Sequence, residues 1–481
     1  MKNMHRPLRT LVSAAVIGVL ATGAAHATGF ALYGEGTGYT AGNYGAGVAA
    51  EAADASTGWY NPAGLALLHN KEVVFGGTGI FPNLKIDGSS TFTTANPFSP
   101  LLPPLVYEQK FKDVDGAYNG FVPASHFALP VGENTTVGLS ITAPYGLATN
   151  WSQTSPVRYS ATFTELLTAN VSPEIGTRLF ENLAVGAGLD FQYSRVKFDQ
   201  TIGVPTFVDF FHRDPSSYDT FSYNKGSSWG VGFHVGLMGI FNDNHTRVGL
   251  NYQSRMRHTF YGHSTLIGPL ANNFVLGSLQ PQPTGYWRND DLFSNPIEFP
   301  DVVTLSGYHD VNDRLALLGS VVYTGWNVFK EIQLNNVAVP GIAATSAVSK
   351  SNIISTVPEN FHDSWRVAFG ANYRINPQWM LRVGGGYDQT PTNNTDRNIR
   401  LPDVDRWAVA VGGHYQMKPN LGFDLGYTHL FSGSNPSINS TQPLSATSSY
   451  QVNSNRGSFS ADLVGGQVVW VIDKAPEAPM K

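Results

Sequence analysis

The chain has 481 residues, of which 14% are charged and 12% aromatic, with 50 glycines, no cysteine and a formal net charge of −5. Disulfides therefore cannot hold it together, and the charge balance leaves no basic footprint for a nucleic-acid partner. Length alone suggests about three soluble domains, yet no Pro/Ser-rich linker, charge run or composition shift divides the chain after its first residues.

Those first residues carry Lys2, Arg6 and Arg9, an apolar run from Leu11 to Ala25, and the small-x-small site Ala25-His26-Ala27. This pattern predicts a secretory signal peptide over residues 1–27. A run of about 15 residues is shorter than the roughly 20 that a spanning helix needs. Residues 28–69 do not alternate and are rich in small side chains (Gly34, Gly36, Gly38, Gly42, Gly45, Gly47, then Ala49 to Ala55). They read as a compact segment ahead of the first strand, either a periplasmic tail or a plug; the expectation taken forward is a plug.

From residue 70 onward the dominant period is two. It is clearest in Trp365, Val367, Phe369, Ala371 and Tyr373, opposed by Arg366, Ala368, Gly370, Asn372 and Arg374, and again in Trp407, Val409, Val411, Gly413 and Tyr415. Alternation of this kind marks strands with one apolar and one polar face. Aromatic residues at the strand ends suit a lipid-facing band between interfacial girdles. Strands are expected near 70–86, 114–130, 134–151, 159–178, 181–200, 224–241, 245–263, 293–310, 313–334, 360–376, 378–389, 400–417, 420–433 and 455–472. The fold class is therefore all-β, a 14-stranded antiparallel transmembrane barrel over 70–472, followed by a polar tail over 473–481. Short turns at Glu133-Asn134, Glu181-Asn182, Asn242-Asp243-Asn244, Asn376-Pro377 and Lys418-Pro419-Asn420 alternate with long connections at 201–223, 264–292 and 335–359, the outer-membrane arrangement. A barrel of this size has room for a plug. Pro144 stands inside the third strand, where it removes a ladder donor and belongs at an edge or bulge, or else marks the strand's exit into a loop; the run Pro144-Tyr145-Gly146 followed by Leu147 to Trp151 favours a kink.

Several spaced motifs resemble the FadL-type outer-membrane transporters of long-chain fatty acids and aromatic hydrocarbons. They are Gly29-Phe30, Asn61-Pro62-Ala63, Tyr145-Gly146-Leu147-Ala148-Thr149, Ser306-Gly307-Tyr308, Tyr323-Thr324 with Trp326, Trp365-Arg366, Tyr387-Asp388-Gln389-Thr390-Pro391, and Ile399-Arg400-Leu401-Pro402-Asp403 through Asp405-Arg406. The resemblance implies a monomeric barrel in which Asn61, Pro62 and Ala63 belong to the plug. Ligand would be caught at extracellular loops, passed to an apolar pocket, and released sideways where the third strand kinks at Pro144, Tyr145 and Gly146. The implied partners are a hydrophobic small molecule and outer-membrane lipid with lipopolysaccharide, and no cofactor is implied.

Phe207, Phe210, Phe211, Tyr218 and Phe221 are the candidate capture aromatics, because a carrier of apolar solutes needs apolar surface at its mouth. At the positions aligned with the family's carboxylate-binding bases stand Gln200 and Val357, which favours a neutral hydrophobic cargo over a free fatty acid. Arg366, Arg382, Asp388, Asp403, Asp405, Arg406 and Asp424 read as lumen-facing salt bridges, since charge inside a barrel wants a partner. The string Gly226-Ser227-Ser228-Trp229-Gly230 fits a hydrolase elbow, but that elbow needs a strand followed by a helix, and period two continues past it. The 13 histidines show no paired spacing for a metal. A general porin and an outer-membrane enzyme or structural barrel remain the alternatives to a hydrophobic-solute channel.

Overall fold

The computed structural model describes residues 30–33, 36–278, 280–343 and 347–472. The expected signal peptide, Gly29 and the polar tail lie outside the described residues. The rest of the chain forms a closed antiparallel barrel of fourteen strands. In order these are Glu72–Thr94, Gly120–Pro130, a third in two pieces (Thr135–Thr142 and Gly146–Asn150), Phe163–Phe180, Leu183–Ile202 and Thr220–Phe241. The seventh comprises Thr246–Gln253, Met256–His258 and Tyr261–Gly268, and the eighth Gly285–Ser294, Ile297–Phe299 and Val302–Asp310. The ninth is Leu315–Thr324 with Glu331–Ile342, and the tenth Ala347–Pro358 with Ser364–Arg374. Trp379–Asp388, Arg406–Lys418, Leu421–Ser432 and Ser448–Val471 complete the wall. Closure runs from Glu72↔Val471 to Thr94↔Ser448, so the first and last strands pair along their whole length.

The amphipathicity is inverted relative to a water-soluble sheet. Trp229, Phe369 and Leu425 point outward and are 70%, 68% and 66% exposed, whereas their inward neighbours Ser228, Ala368 and Asp424 are buried. Only a lipid surround covers such a face without a large apolar penalty.

The strands are longer than their apolar alternation suggested. The stretches expected as loops at 264–292 and 335–359 carry strand at both ends, because the extensions alternate polar residues (Ser349, Ser351 and Ser355 in Ala347–Pro358) and a test keyed to an apolar face passes over them. The second strand begins at Gly120 rather than 114, and Leu105–Asp115 instead forms a ribbon along the upper first strand. The twelfth begins at Arg406 rather than 400. The residues before it turn into the lumen, where the Trp151 indole N–H donates to the Ile399 carbonyl at 2.9 Å.

Residues 36–67 fill the lumen. The helix Gly38–Asn43, capped by Thr37, packs on the eleventh to fourteenth strands, and the 3-10 turn Pro62–Leu67 packs on the third to sixth at the other side. Small residues make this approach possible: a Cβ at Gly42 would stand 3.0 Å from the Gly412 Cα. Asn61 fastens the segment, donating through Nδ2 to the carbonyls of Ala49 (2.7 Å) and Leu237 (3.0 Å) and accepting from the Ala63 amide at 3.1 Å. Pro62 starts the 3-10 turn, where its missing N–H costs nothing.

Candidate functional site: a broken strand, an apolar pocket and a charged floor

The third strand is interrupted at Ala143, Pro144 and Tyr145. Below the break, Thr135–Thr142 pairs with the second and fourth strands; above it, Gly146–Asn150 pairs with the fourth. The second strand therefore loses its partner on this side above Ser125, and Gly120 to Ala124 pair with the first strand only. The backbone groups freed by the break are met from inside. The Leu32 amide donates to the Pro144 carbonyl and the Gly146 amide to the Phe30 carbonyl, both at 2.8 Å. The Thr168 hydroxyl donates to the Tyr145 carbonyl (2.6 Å) and accepts from its amide (2.9 Å). Proline at the break, the short N-terminal bridge and Thr168 thus leave the ladder open while giving the Pro144 and Tyr145 carbonyls and the Tyr145 and Gly146 amides partners.

Phe30 carries this bridge into an aromatic cluster. Its ring stands edge-on to Tyr145 (5.9 Å between centroids), Phe299 (5.4 Å), Trp326 (4.5 Å) and Phe329 (5.2 Å). The seventh to tenth strands are each interrupted; Phe299 in a short piece of the eighth, Trp326 and Phe329 at the break in the ninth and Phe361 at the break in the tenth are all buried. Against the cluster lies a pocket walled by Phe30, Leu147, Leu166, Val196, Phe198 and Phe260, among others.

Gln200 and Val357 line a smaller recess beside the pocket, and both spaces share Arg400. The structure therefore brings a base to the place where neither aligned position is basic. It comes from the loop between the eleventh and twelfth strands, and its guanidinium donates to Gln200 Oε1 at 3.1 Å. Burial pulls Arg400 down to about 10. Arg195 and Lys197 do not serve the pocket as free bases: both pair with Glu165 Oε1, at 2.9 and 3.0 Å. Glu359, buried at the pocket edge, went unread in the sequence because a single acid after Val357 forms no motif.

Under the cluster the lumen is polar. Arg382 pairs with Glu51 of the N-terminal segment at 2.8 Å and with Asp424 at 3.4 Å, all three side chains being nearly inaccessible. The Asn372 amide also donates to Glu51 (2.8 Å), and Gln467 donates to Asp54 (2.8 Å) and Asp424 (3.1 Å). Burial pushes the Asp54 carboxyl up against the hydrogen bonds from Ser56 and Gln467. Higher in the barrel Arg406 lies 3.6 Å from both Asp388 and Asp403. Arg366 donates to the Tyr44 carbonyl at 3.1 Å and lies over the Tyr44 ring. Asp405 accepts from the Tyr387 hydroxyl (2.7 Å) and the Thr390 amide (2.9 Å), hydrogen bonds in place of the salt bridge expected for it. A vestibule lined by Glu51, Asp54, Glu72, Arg247, Asn372 and Arg382 opens among the short turns.

At the opposite end the capture aromatics divide. Phe210 and Phe211 are 47% and 39% exposed and meet Phe98 of another loop at 5.3 and 6.4 Å. Phe207 is half-buried against them. Tyr218 is buried and stacked on Phe274, and Phe221 belongs to the sixth strand. Ser228 sits in the middle of that same uninterrupted strand, with no helix after it, so the elbow context is missing.

Fold, outward apolar band and filled lumen define an integral β-barrel of the Gram-negative outer membrane. The chain belongs to the outer membrane protein transport protein family (OMPP1/FadL/TodX), whose model matches residues 18–468. It is 27% identical over 399 residues to the long-chain fatty acid transport protein of Escherichia coli O6:H1, covering 80% of this chain and 82% of that one. It is 26% identical over 439 residues to outer membrane protein P1 of Haemophilus influenzae, covering 86% and 88%. Among solved structures, a Pseudomonas aeruginosa FadL homologue superposes with a TM-score of 0.72 at 19% identity over 92% of this chain and 99% of that one. The Pseudomonas putida toluene transporter TodX does so with 0.64 at 14% over 93% and 100%.

Proposed function

We propose that the protein is a passive outer-membrane channel for hydrophobic small molecules, which enter at the loops, lodge in the pocket beside Phe30, and leave sideways into the bilayer at Pro144, Tyr145 and Gly146. The observation that carries this reading is the contrast within one lumen: the apolar pocket abuts the broken strand, whereas the way down is occupied by residues 36–67 and the buried Glu51, Arg382 and Asp424. An apolar solute gains about 25 cal/mol per Å2 of surface removed from water. That gain is kept on passing from pocket to lipid and forfeited among buried ions, so the sideways route is downhill and needs no nucleotide. In this reading residues 36–67 are the plug, and Phe98, Phe210 and Phe211 the first contact. The relatives include a long-chain fatty acid transport protein and a toluene transporter, which supports hydrophobic cargo as the shared property.

A general diffusion porin would conduct ions steadily. Purified protein in planar bilayers is expected to show no large steady conductance, while cells carrying it take up an alkane or aromatic faster than cells without it. A large open-pore current from the intact chain would overturn the proposal in favour of a porin.

A further inference from the structure

Against its apolar wall the pocket is lined by four polar residues, Thr164, Glu165, Glu359 and Arg400. Arg400 has little left to offer a ligand. Its Nη1 donates to Thr164 Oγ1 (3.1 Å) and the Asp199 carbonyl (3.4 Å), and its Nη2 to the Ser160 carbonyl (2.7 Å) and Gln200 Oε1 (3.1 Å). With four N–H groups committed to fixed partners, the fork that would grip a carboxylate is occupied. Glu165, also in the lining, is held by Arg195 and Lys197. Glu359 is 5% exposed, and its Oε1 accepts from the Asn398 side-chain amide at 3.2 Å.

Resting on the transport reading above, we propose that Glu359 selects cargo by polarity: it donates a hydrogen bond to an uncharged acceptor on the ligand, such as an alcohol or ketone oxygen, and disfavours a carboxylate. Burial pushes the Glu359 carboxyl up to about 8, against the lowering effect of Asn398 and Arg400 and with Asp396 adding to the rise. Below that value the group is a neutral acid with an O–H to give; above it the donor is lost and a second anion would meet it in a low-dielectric site. The charged groups acting on it are Arg400 and Asp396 of the 389–405 loop, and Glu165, which also lines the pocket, is already paired.

The test compares 1-decanol with decanoate, a chain-matched pair, binding to the full barrel in amphipol at pH 6.5, with protein-free amphipol subtracted. Decanol is expected to bind about tenfold more tightly, the size of one good buried hydrogen bond together with the avoided charge. Its affinity falls as pH rises through about 8. Glu359→Ala removes the preference, whereas Glu359→Gln, which keeps a donor and cannot ionise, retains decanol binding and flattens the pH profile. Heat-modifiable gel migration confirms that each variant is a folded barrel. Equal or tighter decanoate binding, or an unchanged preference in Glu359→Ala, overturns the selectivity alone. Binding of neither compound removes the pocket as a ligand site and takes the transport reading with it.

Discussion

The upper and lower halves of the lumen are built from the same alternating strands and do opposite things. Above, where the third and the seventh to tenth strands are broken, Phe299 and Trp326 pack on Phe30 and an apolar pocket lies beside the opened ladder. Below, unbroken ladders present Arg382, Asn372, Asp424 and Gln467 to the N-terminal segment, and the contacts are ionic and hydrogen-bonded. Regular strand makes an ion-paired floor; interrupted strand makes an apolar pocket beside an opened ladder.

The floor gives the largest expected effect. Arg382→Ala strands Glu51 and Asp424 as buried anions without their guanidinium, and breaking such a group costs roughly 3–5 kcal/mol. A lower urea midpoint and the appearance of steady ion conductance in planar bilayers are expected together. A stable, still-closed barrel would show that the ionic floor is not what holds the segment.

The pocket side is probed by Phe30→Ala. Truncating a buried phenylalanine costs about 3 kcal/mol or more, here charged against the bridge that covers the break. Hydrogen exchange at the Gly146 amide, which donates to the Phe30 carbonyl, is expected to quicken by about a hundredfold, while amides of the eleventh and twelfth strands keep their protection. Equal quickening in both regions would mean that the two halves are not independent.

A smaller effect belongs to the mouth. Replacing Phe210 and Phe211 together by Ser removes exposed apolar area far from the pocket, so association of a hydrophobic ligand slows a few-fold while its dissociation rate stays constant. Stopped-flow binding separates the two. A changed dissociation rate would place these rings in the pocket's energetics instead.

Barrel and membrane were legible because lipid-facing strands write their exposure directly as alternation, as in Trp407, Val409 and Val411. The break was legible too, since a proline inside a strand has few places to go. Less visible were features made by residues distant in sequence. Glu51 has no pattern of its own and acquires meaning only across the lumen from Arg382. Arg400 lies inside a family motif, but the positions aligned with the family's bases are Gln200 and Val357, and only the folding of the 389–405 loop into the lumen sets its guanidinium beside them. The polar strand extensions above the membrane were missed because water-facing ribbon needs no apolar face.

The most direct test of sideways release is uptake by Gly146→Arg. Gly146 is buried at the lip of the break, and a long charged side chain there obstructs the gap while the unbroken ladders elsewhere keep the barrel folded, as heat-modifiable migration would report. Uptake of a radiolabelled alkane is expected to fall to the level of cells lacking the protein, with ion conductance still closed. Undiminished uptake by a folded Gly146→Arg barrel would contradict lateral exit and send the cargo down through the floor.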